Sequence, residues 1–220
     1  MKRLGLFLGL SLILGGCGAD PTPTPAPACP TEAPTSVSAQ ATLDNAETAT
    51  LQIGGAVDGE VVMELYGEQA PLATASFVSL ARCGFYDGVT FHRVISGFVI
   101  QAGDPNTRDN RGDFAGVGSG GPGYEYEIEP PADGLRYDPY VVAMANNSRA
   151  AGSQFFIGLA DLDQQLRAVG VYTIFGKVLE GTEVVEAIAE VPVSATDLPL
   201  TPVIIESITI SGGPEATPDS

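Results

Sequence analysis

Short runs in which apolar and polar residues alternate recur along most of the chain. ATLQI (49–53) and EVVMELY (60–66) lie on either side of Val57-Asp58-Gly59, a hairpin turn signal. Further strand-like runs are VTFHRVI (89–95), FVIQAG (98–103), YEYEIE (124–129), YVVAMAN (140–146), SQFFIGLA (153–160), YTIFGKVL (172–179) and VIIESITIS (203–211). Two stretches step at helical spacing instead. In PLATASFVSLARCG (71–84), Leu72, Ala75, Val78 or Ser79, and Arg82 fall three or four apart, while Phe77, Leu80 and Ala81 widen the apolar face. Pro71 suits a first helical turn and Gly84 a stop. TEVVEAIAEV (182–191) predicts a second helix. Many short strands, two helices and no βαβ rhythm predict an all-β-dominated fold, an antiparallel barrel with helical caps.

The two ends break this pattern. Lys2 and Arg3 precede an apolar run, Leu4 to Leu14, too short to span a bilayer comfortably. Leu14-Gly15-Gly16-Cys17 then resembles a bacterial lipobox, in which the Cys becomes the lipidated first residue of the mature chain; an ordinary signal with a chance Cys is the alternative. The stretch GADPTPTPAPACPTEAPTSVSAQAT has almost nothing to bury. The expected organisation is a signal peptide at 1–16, lipidated Cys17 and a disordered tether at 17–44, a folded domain at 45–212 and a disordered tail at 213–220. That places the protein outside the cytoplasm, held to a bacterial membrane by its lipid alone. Export permits a disulfide, but Cys29 lies in the tether and Cys83 ends an apolar helix. Two unpaired thiols, with Cys83 buried, are expected. No CxxC occurs and there is one His, so no metal site is expected.

Composition narrows the function. The chain has 220 residues, 27 Gly and 17 Pro, which suits one loop-rich domain with extras. Ten basic residues against 27 acidic ones give a net charge of −17, which excludes a nucleic-acid partner.

The solitary histidine, His92, stands beside Arg93 in an apolar run. On a regular strand Phe91, Arg93 and Ile95 share one face and His92 and Val94 the other. No nucleophile motif accompanies His92, which reads as a structural residue facing away from any groove. Arg93, on one face with Phe91, is either buried for a purpose or one half of an ion pair. Gly118 to Gly123 matches G-x-G-x-x-G, but a Pro interrupts it and a strand pattern follows, so a flexible loop is expected, not a dinucleotide site. Glu125, Glu127 and Glu129 alternate like a solvated strand edge, and the sequon at Asn146 is coincidence.

FHRVISGFVIQAGDP (91–105) resembles the signature of cyclophilins, the peptidyl-prolyl cis–trans isomerases. GFYDGVTFHRV leads into it, and GGPGYEYEIE, VAMANNSRAAGSQFFIGLA and YTIFGKVLEGTEVVEAI follow in order, so that the resemblance runs from about Thr50 to Ile210. It implies a closed eight-stranded antiparallel barrel capped by two α-helices. It implies that Arg93 is the catalytic arginine and that Gln101 supports it and contacts substrate. Phe98, Val99 and Phe156 match the walls of the proline pocket. Ala145, Asn146 and Gln154 match the peptide groove, Asn146 chiefly through its backbone, and Tyr172 stands where a pocket histidine is often found. No cofactor is implied. The implied partners are proline-containing peptides and unfolded chains, and a monomer is expected. The chain departs from the family in having no Trp before YTIFG, where Leu166 to Gly170 is expected to fill the rim; weak affinity for cyclosporin-like ligands would follow. The loop after Asp104 is also enlarged.

An X-Pro bond turns over slowly because amide resonance must be broken, and neither a nucleophile nor net proton transfer is required. An apolar wall and a fixed donor suffice, which suits Arg93 better than His92. Two readings follow: an active isomerase for exported chains, or a binding module that holds proline segments with little turnover.

Overall fold

The structure, a computed structural model, describes residues 27–43, 46–108, 116–148 and 150–212. Its elements in chain order are α1 (Ser36–Leu43), β1 (Thr48–Gly55), β2 (Gly59–Leu65), α2 (Pro71–Arg82), β3 (Arg93–Ile95) and β4 (Val99–Ala102). After a single 3-10 turn at Pro105–Thr107 come β5 (Tyr126–Glu127), β6 (Val141–Asn146), β7 (Ala150–Gly158), α3 (Asp163–Val169), β8 (Ile174–Glu180), α4 (Thr182–Ala189) and β9 (Val203–Ser211). Every strand pairing is antiparallel, in the order β3-β4-β7-β6-β8-β2-β1-β9, with β5 added to β7.

Alternation explains the layers. In β1, Ala49, Leu51 and Ile53 point inward, and in β2 Val61, Met63 and Leu65 do the same. These meet Phe77 and Leu80 of α2, Phe155 of β7 and Phe175 of β8 in one core. The Phe77 ring lies 5.2 Å from Tyr86 and from Phe175. Such aromatic packing adds about 0.5–1.5 kcal/mol per pair beyond area burial.

The start of α2 is held by a distant carboxylate. No side chain at Ala70 caps it; instead the backbone N–H groups of Leu72 and Ala73 donate to Glu129, each at 2.9 Å. Of the solvated acidic edge expected over 124–129, Glu125 and Glu127 are exposed, but β5 is two residues long and Glu129 turns in to satisfy helix donors. Burial pushes its carboxyl above the usual range, and the two N–H donors only partly oppose the rise. Glu129→Ala is expected to cost about 1–2 kcal/mol, by analogy with lost caps. A lowered urea midpoint with an unchanged m-value would show it.

Four expectations are corrected. The barrel is a curled sheet that stays open: its end strands, β3 and β9, share no ladder, and the bridge Thr90–Ile204 stitches the gap ahead of β3. Three-residue β3 is too short to close the cylinder; ahead of it Phe91 N donates to the Val203 carbonyl at 2.9 Å and His92 N to the Gln101 carbonyl at 3.0 Å without extending a ladder. There are four α-helices among the described residues, α1 and α3 joining the two expected ones. The part of the tether from residue 27 is ordered: α1 buries Ala39, and Arg82 of α2 donates to the Thr42 carbonyl at 3.1 Å. Finally, Cys29 and Cys83 are not free thiols but a disulfide, with Cα atoms 5.1 Å apart and Cys83 only half-buried. Alanines and threonines too small to signal a core still pack when a covalent link holds the segment in place. Residues 1–26, with Cys17, and the tail 213–220 lie outside the described residues.

Candidate functional site

Strand register assembles the site. Across β3 and β4, Arg93 pairs with Gln101 and Ile95 with Val99; across β4 and β7, Gln101 pairs with Phe156 and Val99 with Gly158. Side chains in register share a face. One face thus carries Arg93, Val99, Gln101 and Phe156, with Gln154 two residues before Phe156. The reverse face carries Val94, Ile100, Ala102, Phe155 and Ile157, all in the interior core.

A second apolar cluster covers the outer face. Val99, Phe156, Leu162, Leu166 and Ile174 are buried in it, with Phe98, Ala145 and Tyr172 packed alongside. The Phe156 and Tyr172 rings meet edge to face at 5.5 Å. The expected rim segment does reach this cluster, since α3 delivers Leu166 at 3% exposure. Leu162 and Tyr137 were not anticipated; the i, i+4 spacing of Leu162 and Leu166 was the available signal. This surface is a dry patch beside a cation. The Arg93 guanidinium carbon sits 6.0 Å from the Phe98 ring centroid, and Arg93 takes part in none of the ion pairs among the described residues. The ion-pair alternative for Arg93 is thereby removed.

Beside the patch opens a cavity of about 640 Å³ lined by Gln101, Gln154, Ala145, Asn146, Asn147 and the glycine loop 118–123. Gln101 Nε2 donates to Gln154 Oε1 at 3.0 Å, and Gln154 Nε2 donates to the Gly120 carbonyl at 2.9 Å. The Asn146 side chain is turned away into local bonds, donating to the Val171 carbonyl at 2.8 Å and accepting from Ser148 N at 2.9 Å. Pairing of β6 with β7 shifts register between Met144 and Asn146, which loosens the backbone around Ala145 from its neighbour. The sequence-predicted residues Arg93, Phe98, Val99, Gln101, Ala145, Asn146, Gln154, Phe156 and Tyr172 therefore lie along one continuous surface. The G-x-G-x-x-G stretch is loop and leads into β5, not a helix. Among the described residues no group of three His, Cys, Asp or Glu side chains could hold a metal ion.

His92 lies beneath this surface. It is 5% exposed and does not line the cavity, and Phe91 turns into the core with Val94, so the strict alternation expected through Phe91 fails just ahead of β3. Neither ring nitrogen meets hydrogen-bond geometry with a partner among the described residues. Burial holds the imidazole below its ordinary pKa and Arg93 adds to this, while Asp104, the Thr90 backbone and Gln154 oppose it. Below about pH 6.5 the unfolded chain therefore binds a proton that the folded chain resists. The contribution is complete above that pH and shrinks as pH falls. His92→Gln is expected to lose less stability than the wild type between pH 7 and pH 5. Urea unfolding at both pH values checks this.

Known proteins resemble this chain in sequence and in fold. The family profile described as cyclophilin type peptidyl-prolyl cis-trans isomerase/CLD matches residues 48–210. Peptidyl-prolyl cis-trans isomerase A of Mycobacterium tuberculosis is 41% identical over 183 residues, covering 74% of this chain and 92% of its own. Peptidyl-prolyl cis-trans isomerase B of Bacillus subtilis is 42% identical over 125 residues, 56% of this chain and 79% of its own. A Cryptosporidium parvum cyclophilin-type isomerase, solved also in the presence of the dipeptide Ala-Pro, superposes with a TM-score of 0.64 at 31% identity, covering 76% of this chain.

Proposed function

The chain belongs to the cyclophilin-type peptidyl-prolyl cis-trans isomerase family, and from that premise we propose how its groove performs the isomerisation and where the protein works. It is a peptidyl-prolyl cis-trans isomerase. The proline ring packs on Phe98, Val99 and Phe156, with Tyr172 and Leu166 closing the dry wall. As the X-Pro amide twists, its nitrogen becomes pyramidal and recovers a lone pair. Arg93 donates to that nitrogen or to the adjoining carbonyl, more strongly in the twisted state than in the planar one, which is differential transition-state binding. Gln101, in register with Arg93, holds the neighbouring peptide group, and Ala145, Asn146 and Gln154 line the path of the rest of the segment. The observation that carries this reading is Arg93 itself: a half-buried guanidinium beside Phe98, outside every ion pair of the described residues. An arginine is permanently charged and cannot act as a base, which suits a reaction with no proton to move. The test is isomerisation of a short X-Pro peptide by the wild type and Arg93→Ala; a wild type with no acceleration over background would refute it.

The natural substrates proposed are unfolded or newly exported chains outside the cytoplasm, met by a monomer. Two features support that location. The first 17 residues have the make-up of a lipoprotein signal ending at Cys17. The Cys29–Cys83 bond suits an oxidising compartment. Cys17→Ser is expected to move the protein from the membrane fraction to the soluble one and to abolish labelling by a clickable fatty acid. Retention of both would overturn the anchor.

A further inference from the structure

The loop over residues 118–123 walls one side of the cavity yet belongs to no helix or strand. A buried carboxylate holds it. Asp104 has no exposed surface, and it caps the turn Pro105–Thr107 by accepting from Asn106 N at 2.8 Å through Oδ1. Its Oδ2 accepts from Gly118 N at 2.5 Å and from Gly120 N at 3.2 Å. Three backbone N–H groups from two separate segments thus converge on one charged side chain, the arrangement that makes a buried anion tolerable.

The contact continues toward the substrate surface. The carbonyl of Gly120 accepts from Gln154, and Gln154 accepts from Gln101, which lies opposite Arg93. Gly120 is the residue at which the two systems meet, and only glycine fits there: a Cβ would collide with the Asp104 carboxylate and stand 2.8 Å from Asn106 Nδ2.

We infer that Asp104 is a positioning residue for substrate binding: by fixing the backbone at Gly118 and Gly120 it sets the amide orientation of Gln154 and Gln101 and the shape of the cavity wall. Arg93, Val99 and Phe156 stand on β3, β4 and β7, outside the loop that Asp104 holds. The inference rests on the isomerase reading but separates from it in kinetics. Loss of the anchor weakens a contact made equally in ground and transition states, so it appears in KM and not in kcat.

Two variants test this in the full chain, with saturation kinetics on a short X-Pro peptide. Asp104→Asn keeps the size but presents an amide N–H₂ to backbone N–H donors. Gly120→Ala leaves the carboxylate intact and displaces the loop. Each is expected to raise KM by about five- to tenfold while kcat stays within about twofold. Trypsin cleavage after Arg108 is expected to speed up in both, with the circular dichroism of the fold unchanged. A fall in kcat at unchanged KM, or wild-type constants in folded variants, overturns the inference. If Asp104→Asn does not fold, Gly120→Ala decides alone. An inactive wild type would instead strike at the isomerase reading.

Discussion

Arg93→Ala is expected to lower kcat/KM toward a short X-Pro peptide by about 100- to 1,000-fold, a loss of roughly 3–4 kcal/mol of transition-state stabilisation. The size follows from the surroundings. The guanidinium stands over Phe98 at the edge of an apolar cluster, where a donor aimed at developing charge is worth more than it would be in water. The loss should fall mainly on kcat, because the ring-binding wall of Phe98, Val99 and Phe156 remains. The fold should survive: Arg93 is half-buried, sits in a three-residue strand and makes no ion pair among the described residues. Arg93→Lys should recover only part of the activity, since an ammonium is a point charge without the planar fork. Stopped mixing of a cis-enriched peptide with each variant, with thermal unfolding in parallel, measures both halves. Unchanged activity in Arg93→Ala would remove this residue from the mechanism and leave the family assignment standing.

Reduction of Cys29–Cys83, or the double replacement by Ser, is expected to destabilise the protein by about 4 kcal/mol and to lower Tm by about 10 °C. The bond joins residues 54 apart in sequence, and opening a loop of that length restores much conformational freedom to the unfolded chain. The segment it secures has little else. Between Cys29 and β1 the buried apolar residues among those described are Ala39 and Ala46, so α1 should fray from α2 once released. Neither cysteine lines the groove, so kcat/KM at 25 °C should hold while the melting curve shifts. Differential scanning with and without dithiothreitol gives the answer, and equal Tm values would mean that the link carries no stability.

The parts of the fold built on strong periodicity were legible. Strands β1, β2, β6, β7, β8 and β9 fall where the alternation is longest, and α2 and α4 where apolar residues step by three or four. The candidate site was legible through the resemblance, which marked Arg93 and Gln101 within one signature; that they stand opposite each other on β3 and β4 came only with the strand register. What escaped was decided by tertiary partners. The SVSAQATL of α1 has no amphipathic stripe, and α1 is helical through its contact with α2. Cys29 and Cys83 have neighbours that say nothing of each other. Glu129 looked like an exposed strand residue until the N-terminus of α2 arrived over it. Asp104 carried no signal beyond being one acidic residue among 27.

The disulfide also resets a length. If acylated Cys17 holds the chain to a bilayer, an unstructured leash running to the start of the domain near residue 44 would have a contour of roughly 90 Å. With Cys29 bonded to the domain, the chain from Cys17 could reach at most roughly 40 Å, comparable with the thickness of one bilayer including its headgroups. On the proposed anchor the domain would sample a shallow layer next to the lipid surface, and its effective concentration toward chains still emerging from that surface would be correspondingly higher. Reduction of one bond would let it out to more than twice that distance.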